Sequence, residues 1–353
     1  MKKNVLFFIN SEVGGAERMG VLISKMLINE GYNVEYVIVN DAQNKTSITD
    51  FIDSGHRIME VKAENHLSKL CQFYKIIKQC KPECVFSTNY SVNDKLLLLR
   101  PLFRKVQFIA RSDFYYSAFD WKEKLIIKLT YRNADVLIAQ NEEMRQEFLE
   151  HKVLPTERVV TLENPVDKEN IENKLLSATS PYTNDGRKHI IAVGRTSYQK
   201  GYDILVTALA DIIHNGIAAD LYIVGSNEGM WEQEYKRVQT IIHKLDIASY
   251  VHFVGYQENP YRYVKFADCF VLSSRWEGLP NVLAEALYLK IPVAACKCIP
   301  IVQRMVRDGV DGYLAEKENI QSLALAMKRA LALGTTSPVY SGASNESFVQ
   351  LFG

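Results

Sequence analysis

Short apolar runs punctuate the first half of the chain at Val5–Ile9, Val34–Val39, Val85–Ser87, Val106–Ala110, Val136–Ala139 and Val159–Leu162. Unbroken apolar runs, in place of strict apolar–polar alternation, mark strands covered on both faces, and so a parallel sheet. Between several of them apolar positions recur at helical spacing, as in Met19, Leu22, Ile23, Met26 and Leu27. The second half repeats the style with Ile190–Val193, Leu221–Val224, Val251–Val254, Cys269–Leu272 and Val293–Ala295. The pattern predicts an α/β protein of two doubly wound, Rossmann-like domains in tandem. Their junction falls in Leu162-Glu-Asn164-Pro165-Val166-Asp167, where the proline forces an extended approach and a polar stretch without sheet signal, Lys168–Lys188, follows. The expected division is residues 1–165, 166–335 and a tail, 336–353, that can cross back to the first domain. In that tail an irregular stretch from Gly334 to Asn345 precedes an amphipathic piece, Glu346–Phe352.

Length agrees with this division, since 353 residues exceed one ordinary core and suit two. A hydrophobic share of 47% and a charged share of 24% are those of a soluble globular protein. The net charge of +1 gives no ground for a nucleic-acid partner. Six cysteines, Cys71, Cys80, Cys84, Cys269, Cys296 and Cys298, fall at no zinc spacing and read as small hydrophobes in a reducing compartment. The first apolar run is too short for a signal peptide, and no run approaches a membrane span. A cytoplasmic location is therefore the expectation.

Open α/β sheets bind ligands outside the carboxyl ends of their strands, so the loops that follow strands carry the chemistry. After Cys269–Leu272 comes Ser273-Ser-Arg-Trp-Glu277-Gly278-Leu279-Pro280-Asn281-Val282-Leu-Ala-Glu285, a strand, a tight loop and a helix start. The amides of such a start, with the helix dipole, suit an anion, and the glycine admits a phosphate to the backbone. Glu277 and Glu285 stand eight residues apart, as hydroxyl acceptors either side of that anion. A glutamate near a helix start is also served by the dipole alone, and the pair by itself leaves both readings open. After Ile190–Val193 the chain reads Gly194-Arg195-Thr-Ser-Tyr-Gln-Lys200-Gly201, whose two cations suit a diphosphate, Arg as a bidentate donor and Lys as a mobile point charge. Solvation at the surface is the other fate open to them. After Val5–Ile9 comes Asn10-Ser-Glu-Val-Gly14-Gly15-Ala-Glu17-Arg18, which lacks the dinucleotide spacing but permits close backbone approach; a ligand-free tight turn reads equally well.

Taken together these four elements, Gly14-Gly15-Ala-Glu17-Arg18, Asn164-Pro165-Val166, Val193-Gly194-Arg195…Lys200-Gly201 and Glu277-x7-Glu285 within Ser-Ser-x2-Glu-Gly-x-Pro-Asn, resemble the family 4 retaining glycosyltransferases. The likeness runs in order from about Asn4 to Leu314. It implies a GT-B fold: an acceptor-binding domain, a nucleotide-sugar donor domain and reaction in the cleft between them. By that resemblance Arg195 and Lys200 hold the donor diphosphate, Glu285 takes the ribose hydroxyls and Glu277 contacts the transferred sugar. The backbone of Gly278, Leu279, Asn281 and Val282 assists, Tyr256 lies near the base, and Gly15 approaches the donor from the other domain. The chemistry implied is front-side displacement without a metal or other cofactor, the nucleotide-sugar being a substrate; no Asp-x-Asp occurs in the chain. Three positions depart from the family pattern. Arg111-Ser112-Asp113 stands where many relatives carry a histidine that contacts the donor sugar, which makes Asp113 the candidate for that catalytic role. Arg304 replaces a glutamate before Asp308-Gly309, and Lys290 replaces a glycine.

From Lys95 to Arg132 nine Lys or Arg meet three acids, among aromatics that include Phe103, Phe108, Phe114, Tyr115, Tyr116, Phe119 and Trp121. That composition suits either an anionic membrane surface or ordinary core aromatics beside solvated lysines. The resulting expectation is a metal-independent hexosyltransferase moving a sugar from an NDP-sugar, UDP first, to a lipid-linked saccharide in surface-polysaccharide assembly. It would be peripheral to the inner face of the plasma membrane. The alternatives are an inactive nucleotide-sugar-binding subunit and a GT-B sugar-nucleotide epimerase.

Overall fold

The computed structural model describes residues 3–11, 14–40, 48–63, 65–337, 340 and 342–353. Residues 12 and 13 of the first glycine loop and 338, 339 and 341 of the irregular tail stretch lie outside the described residues. The chain divides into two compact units, Met1–Pro165 with Ala343–Gly353, and Val166–Gly342.

Among the described residues the first unit holds seven strands: β1 Asn4–Asn10, β2 Asn33–Asn40, β3 Ile58–Lys62, β4 Cys84–Ser87, β5 Gln107–Arg111, β6 Val136–Ala139 and β7 Val159–Thr161. They pair in the order β3-β2-β1-β4-β5-β6-β7, every neighbouring pair parallel. Alternate residues of β1 feed opposite faces: Leu6 and Phe8 enter one apolar cluster, Val5, Phe7 and Ile9 the other. This two-sided burial is why the strand reads as an unbroken apolar run. The helix Asn345–Phe352 belongs to this unit and seats Phe352 against Phe7 and Phe86, with ring centroids 6.2 and 5.6 Å apart.

The second unit holds β8 Lys188–Val193, β9 Ala219–Val224, β10 Val251–Gly255, β11 Cys269–Leu272, β12 Val293–Cys296 and β13 Gly312–Ala315, in the order β10-β9-β8-β11-β12-β13, again all parallel. Two strands, β3 and β13, are absent from the sequence reading, and both are edge strands. In β3 only Val61 is buried, so no apolar run marks it; β13 is four residues long and opens on a glycine. The Lys168–Lys188 stretch opens with a helix, Lys168–Leu175, capped by Asp167, whose single buried residue, Ile171, leaves no helical periodicity to read. Among the described residues no helix is long and apolar enough to cross a membrane.

Candidate active site

In the second sheet the strand order reverses between β8 and β11, so the connections leaving these strands diverge and open a crevice at their carboxyl ends. The two motif-bearing loops of this unit start there. β8 runs into Gly194 and Arg195, then a short turn, Tyr198–Lys200, and the helix Tyr202–His214. Gly201, at φ 64°, is left-handed, and a Cβ there would stand 2.3 Å from the carbonyl oxygen of Ser273 at the end of β11. Only glycine lets the turn and the strand end close on each other.

Once in contact, the loops are laced together. Ser273 Oγ donates to the Lys200 carbonyl at 2.7 Å, and the Arg275 amide donates to the Gln199 carbonyl at 2.7 Å. Arg275, nearly buried, forks onto Asp203 at 2.9 and 2.7 Å, donates to the Tyr198 carbonyl at 2.8 Å and to Glu318 at 3.0 Å, and lies 3.9 Å from the Tyr198 ring centroid. Inside this frame Lys200 Nζ meets Glu277 Oε1 at 2.7 Å, and Ser274 Oγ donates to the same oxygen at 2.7 Å. The side chains are 16% and 9% exposed. Lys200 is thus a half-buried ion-pair partner, not the mobile point charge expected of it, because the Gly201 turn delivers its amine to the β11 loop. Glu277 is correspondingly paired rather than solvated.

Gly278 and Leu279 lead to the helix Asn281–Tyr288, whose N-cap, Pro280, offers no side-chain acceptor. The Asn281 amide at its start donates to the Leu279 carbonyl at 3.0 Å. One turn on, Glu285 has its Oε1 3.5 Å from the Tyr261 hydroxyl, a residue of the short helix Tyr261–Lys265 after β10. Tyr256, at the exposed end of β10, stands ahead of that helix. Arg195 is exposed, its guanidinium carbon 4.9 Å from the Trp231 ring centroid. The second unit therefore gathers Lys200, Glu277 and the Gly278–Val282 backbone, with Glu285 and Tyr256 on the β10 side and Arg195 against Trp231. Arg275, Ser274, Gln199 and Tyr261 escape the sequence reading; the only signal for Arg275 is its place inside the Ser-Ser-x2-Glu loop.

Asp113 and Gly15 belong to the first unit, at the carboxyl ends of β5 and β1. Here too the order reverses, between β1 and β4. Arg111, 1% exposed, donates through Nη2 to Asn164 Oδ1, while Asn93 Nδ2 donates to the Arg111 carbonyl at 3.0 Å. Arg111 Nε and Nη1, Asp113 Oδ1 and Thr88 Oγ1 are shielded from solvent and have no hydrogen-bond partner among the described residues. Burial pushes the Asp113 carboxyl up to about 7, against the pull of Arg111, and burial brings the Arg111 guanidinium down to about 10, against the pull of Asp113 and Glu17. Glu17, itself buried, comes from the helix Gly15–Asn29. Of the other departures, Lys290 takes φ 64°, the left-handed conformation that glycine adopts without a Cβ clash, so this replacement is a matter of helix termination.

Comparison with known proteins covers both units. The family model described as Glycosyltransferase Family 4 matches residues 13–170, and that described as Glycosyl transferases group 1 matches residues 178–341. An uncharacterized glycosyltransferase of Methanocaldococcus jannaschii is 31% identical over 252 residues, 66% of this chain and 60% of that protein. The N-acetylgalactosamine-N,N'-diacetylbacillosaminyl-diphospho-undecaprenol 4-alpha-N-acetylgalactosaminyltransferase of Campylobacter jejuni is 27% identical over 215 residues, 59% of this chain and 54% of that one. The chain thus spans little more than half the length of these two relatives. Among solved structures, Anabaena HepE in complex with UDP and glucose superimposes with a TM-score of 0.80 over 99% of this chain and 98% of that one, at 18% identity.

Proposed function

The chain belongs to the family 4 glycosyltransferases and has their GT-B fold, two Rossmann-like units in tandem, and on that premise we propose that it transfers a sugar, with retention, from a UDP-sugar to a lipid-linked saccharide. The observation that carries the reading is the Lys200–Glu277 pair, which joins the loop after β8, where Arg195 also stands, to the loop that leads from β11 into the helix Asn281–Tyr288. Arg195, Lys200 and the helix-start amides would hold the donor diphosphate; Glu285 would accept from the ribose hydroxyls and Glu277 from the transferred sugar. UDP is the first choice of base because the similar Anabaena structure contains it, and the Campylobacter relative's undecaprenol-diphosphate acceptor supports a lipid-linked one. In the transfer the bond from the anomeric carbon to the diphosphate oxygen breaks. The acceptor oxygen bonds to that carbon on the same face, and the acceptor's proton passes to the departing phosphate oxygen. The two cations stabilise the charge that grows on that oxygen, so EDTA should leave turnover intact.

The test is thermal stabilisation by UDP, GDP, ADP and CMP, each with and without EDTA, followed by product analysis with the matching sugar nucleotide. One diphosphate should raise the melting temperature in proportion to ln(1 + [L]/Kd), unchanged by EDTA, and Glu285→Gln should weaken its binding more than about twofold. A panel with no shift would refute the donor site. Binding without transfer would support a nucleotide-sugar-binding subunit, the second reading, which Asp113 at the family's histidine position favours.

A further inference from the structure

The loops that leave β8 and β9 stay zipped together beyond the strands. The Gly194 amide donates to the Val224 carbonyl and the Thr196 amide to the Ser226 carbonyl, both at 2.8 Å. Gly225 lets them meet, because a Cβ there would stand 2.0 Å from the Gly194 carbonyl oxygen. Arg195 sits between these two bonds, so its backbone is pinned while its side chain is exposed. The β9 loop then turns at Gly229, φ 63°, where the Trp231 amide donates to the Glu228 carbonyl at 3.2 Å, and Trp231 leads into the helix Glu232–Lys244. That turn sets the half-buried indole beneath the Arg195 guanidinium, 4.9 Å from ring centroid to guanidinium carbon. Neighbouring arginines also stand over a ring, but they are committed to a carboxylate: Arg275 and Arg237 lie 3.9 and 5.6 Å from the Tyr198 centroid, and both pair with Asp203, at 2.7 and 3.1 Å. The Arg195 guanidinium has no hydrogen bond or ion pair among the described residues. A ring engages the face of a guanidinium and leaves its N–H edge open, so Arg195 keeps its donors for an incoming anion.

We propose that Trp231 is a positioning residue, whose indole holds the Arg195 guanidinium ready for the donor diphosphate. The proposal rests on the reading of Arg195 as a diphosphate ligand and adds the residue that orders it. An unattached surface arginine loses rotamer freedom when it binds a phosphate, and a ring contact made beforehand removes part of that loss. Trp231 acts on the ligand only through Arg195, so its effect must vanish when Arg195 is gone.

The test is calorimetric titration of the full chain with UDP. Trp231→Ala should raise Kd roughly three- to tenfold, the range of a partly exposed cation–π contact. Trp231→Tyr should recover most of the affinity, whereas Trp231→Leu, which keeps bulk without a π face, should not. In an Arg195→Ala background Trp231→Ala should change Kd by less than about twofold, because no guanidinium is left to hold. A Trp231→Ala Kd within twofold of the parent, a Leu variant that binds as tightly as the Tyr variant, or an equal loss with and without Arg195 would overturn the proposal. The parent chain separates this from the function: a parent that binds no diphosphate refutes the donor site and the positioning together, and a parent that binds UDP, with Trp231→Ala losing as much in the absence of Arg195, refutes the positioning alone.

Discussion

The sharpest consequence of the second unit's geometry concerns Lys200→Met. Its amine lies 2.7 Å from Glu277 Oε1 between side chains 16% and 9% exposed. Two unit charges about 3.5 Å apart attract by roughly 5 kcal/mol at an effective dielectric of about 20. Desolvation of the two ions offsets most of this, so the intact pair contributes little net stability. Removing one partner is different, because the other stays buried. With Lys200 gone, Glu277 retains Ser274 Oγ at 2.7 Å and Gln199 Nε2 at 3.5 Å but no cation, and the cost should be about 3 kcal/mol. For a unit of this size that is a fall of roughly 6 to 12 °C in its melting temperature. Glu277→Gln should cost about 1 to 2 kcal/mol, since the longer lysine can swing towards water. The double change Lys200→Met with Glu277→Gln should cost less than the sum by about 2 kcal/mol. Urea unfolding followed by tryptophan fluorescence reports mainly on this unit, because Trp231 and Trp276 lie in it and the third tryptophan, Trp121 of the first unit, is already 73% exposed. Additivity within about 0.5 kcal/mol, or a Lys200→Met variant as stable as the parent, would refute the pairing argument.

Two further predictions follow from the same kind of accounting. Arg275→Met removes a fork to Asp203 and bonds to Tyr198 and Glu318, so it should destabilise the second unit by about 3 kcal/mol and weaken UDP binding, with Arg275→Lys recovering part of both. Calorimetric melting and UDP titration check this, and a Met variant unchanged in both would rule out the clamp. Asp113, lifted by burial to about 7, holds its proton in the folded chain above the usual carboxylate range near 4, so its contribution declines as pH rises from about 4 to about 7 and is level above that. Asp113→Asn, which stands in for the protonated acid, should therefore flatten stability over that window by about 1 to 3 kcal/mol, and parallel urea-stability curves at pH 5 and pH 8 for parent and variant would contradict it.

Which parts of this molecule could be read from its sequence follows from where each signal is encoded. Strands such as β1 and β11 are covered on both faces, so every residue is apolar and the run is visible without a partner. At the sheet edges only one face is covered, and β3 dissolves into its polar neighbours. The glycines and proline of the site loops are legible because backbone shape demands them locally, as at Gly201 against the Ser273 carbonyl. Pairings across the crevice are not local: Lys200 and Glu277 are 77 positions apart, and nothing near either residue announces the other. Arg275 is a still harder case, since its partners Asp203 and Glu318 flank it from both sides of the chain. For Arg111 the prior itself misleads, because arginine is a surface residue in most settings and here it is fully buried.

The two sheets share one strand order around their switch points, yet their loops present opposite chemical situations to a ligand. At the second, Lys200 and Glu277 already satisfy each other, with Ser274 joining in. On the proposed function, a diphosphate at Lys200 would compete with Glu277 for the amine, and the carboxylate so released would be available to a sugar hydroxyl. At the first, Arg111 Nε and Nη1, Asp113 Oδ1 and Thr88 Oγ1 are shielded and have no hydrogen-bond partner among the described residues. The scaffold is common to both units, and the difference in what each is prepared to bind lies wholly in the side chains at the strand ends.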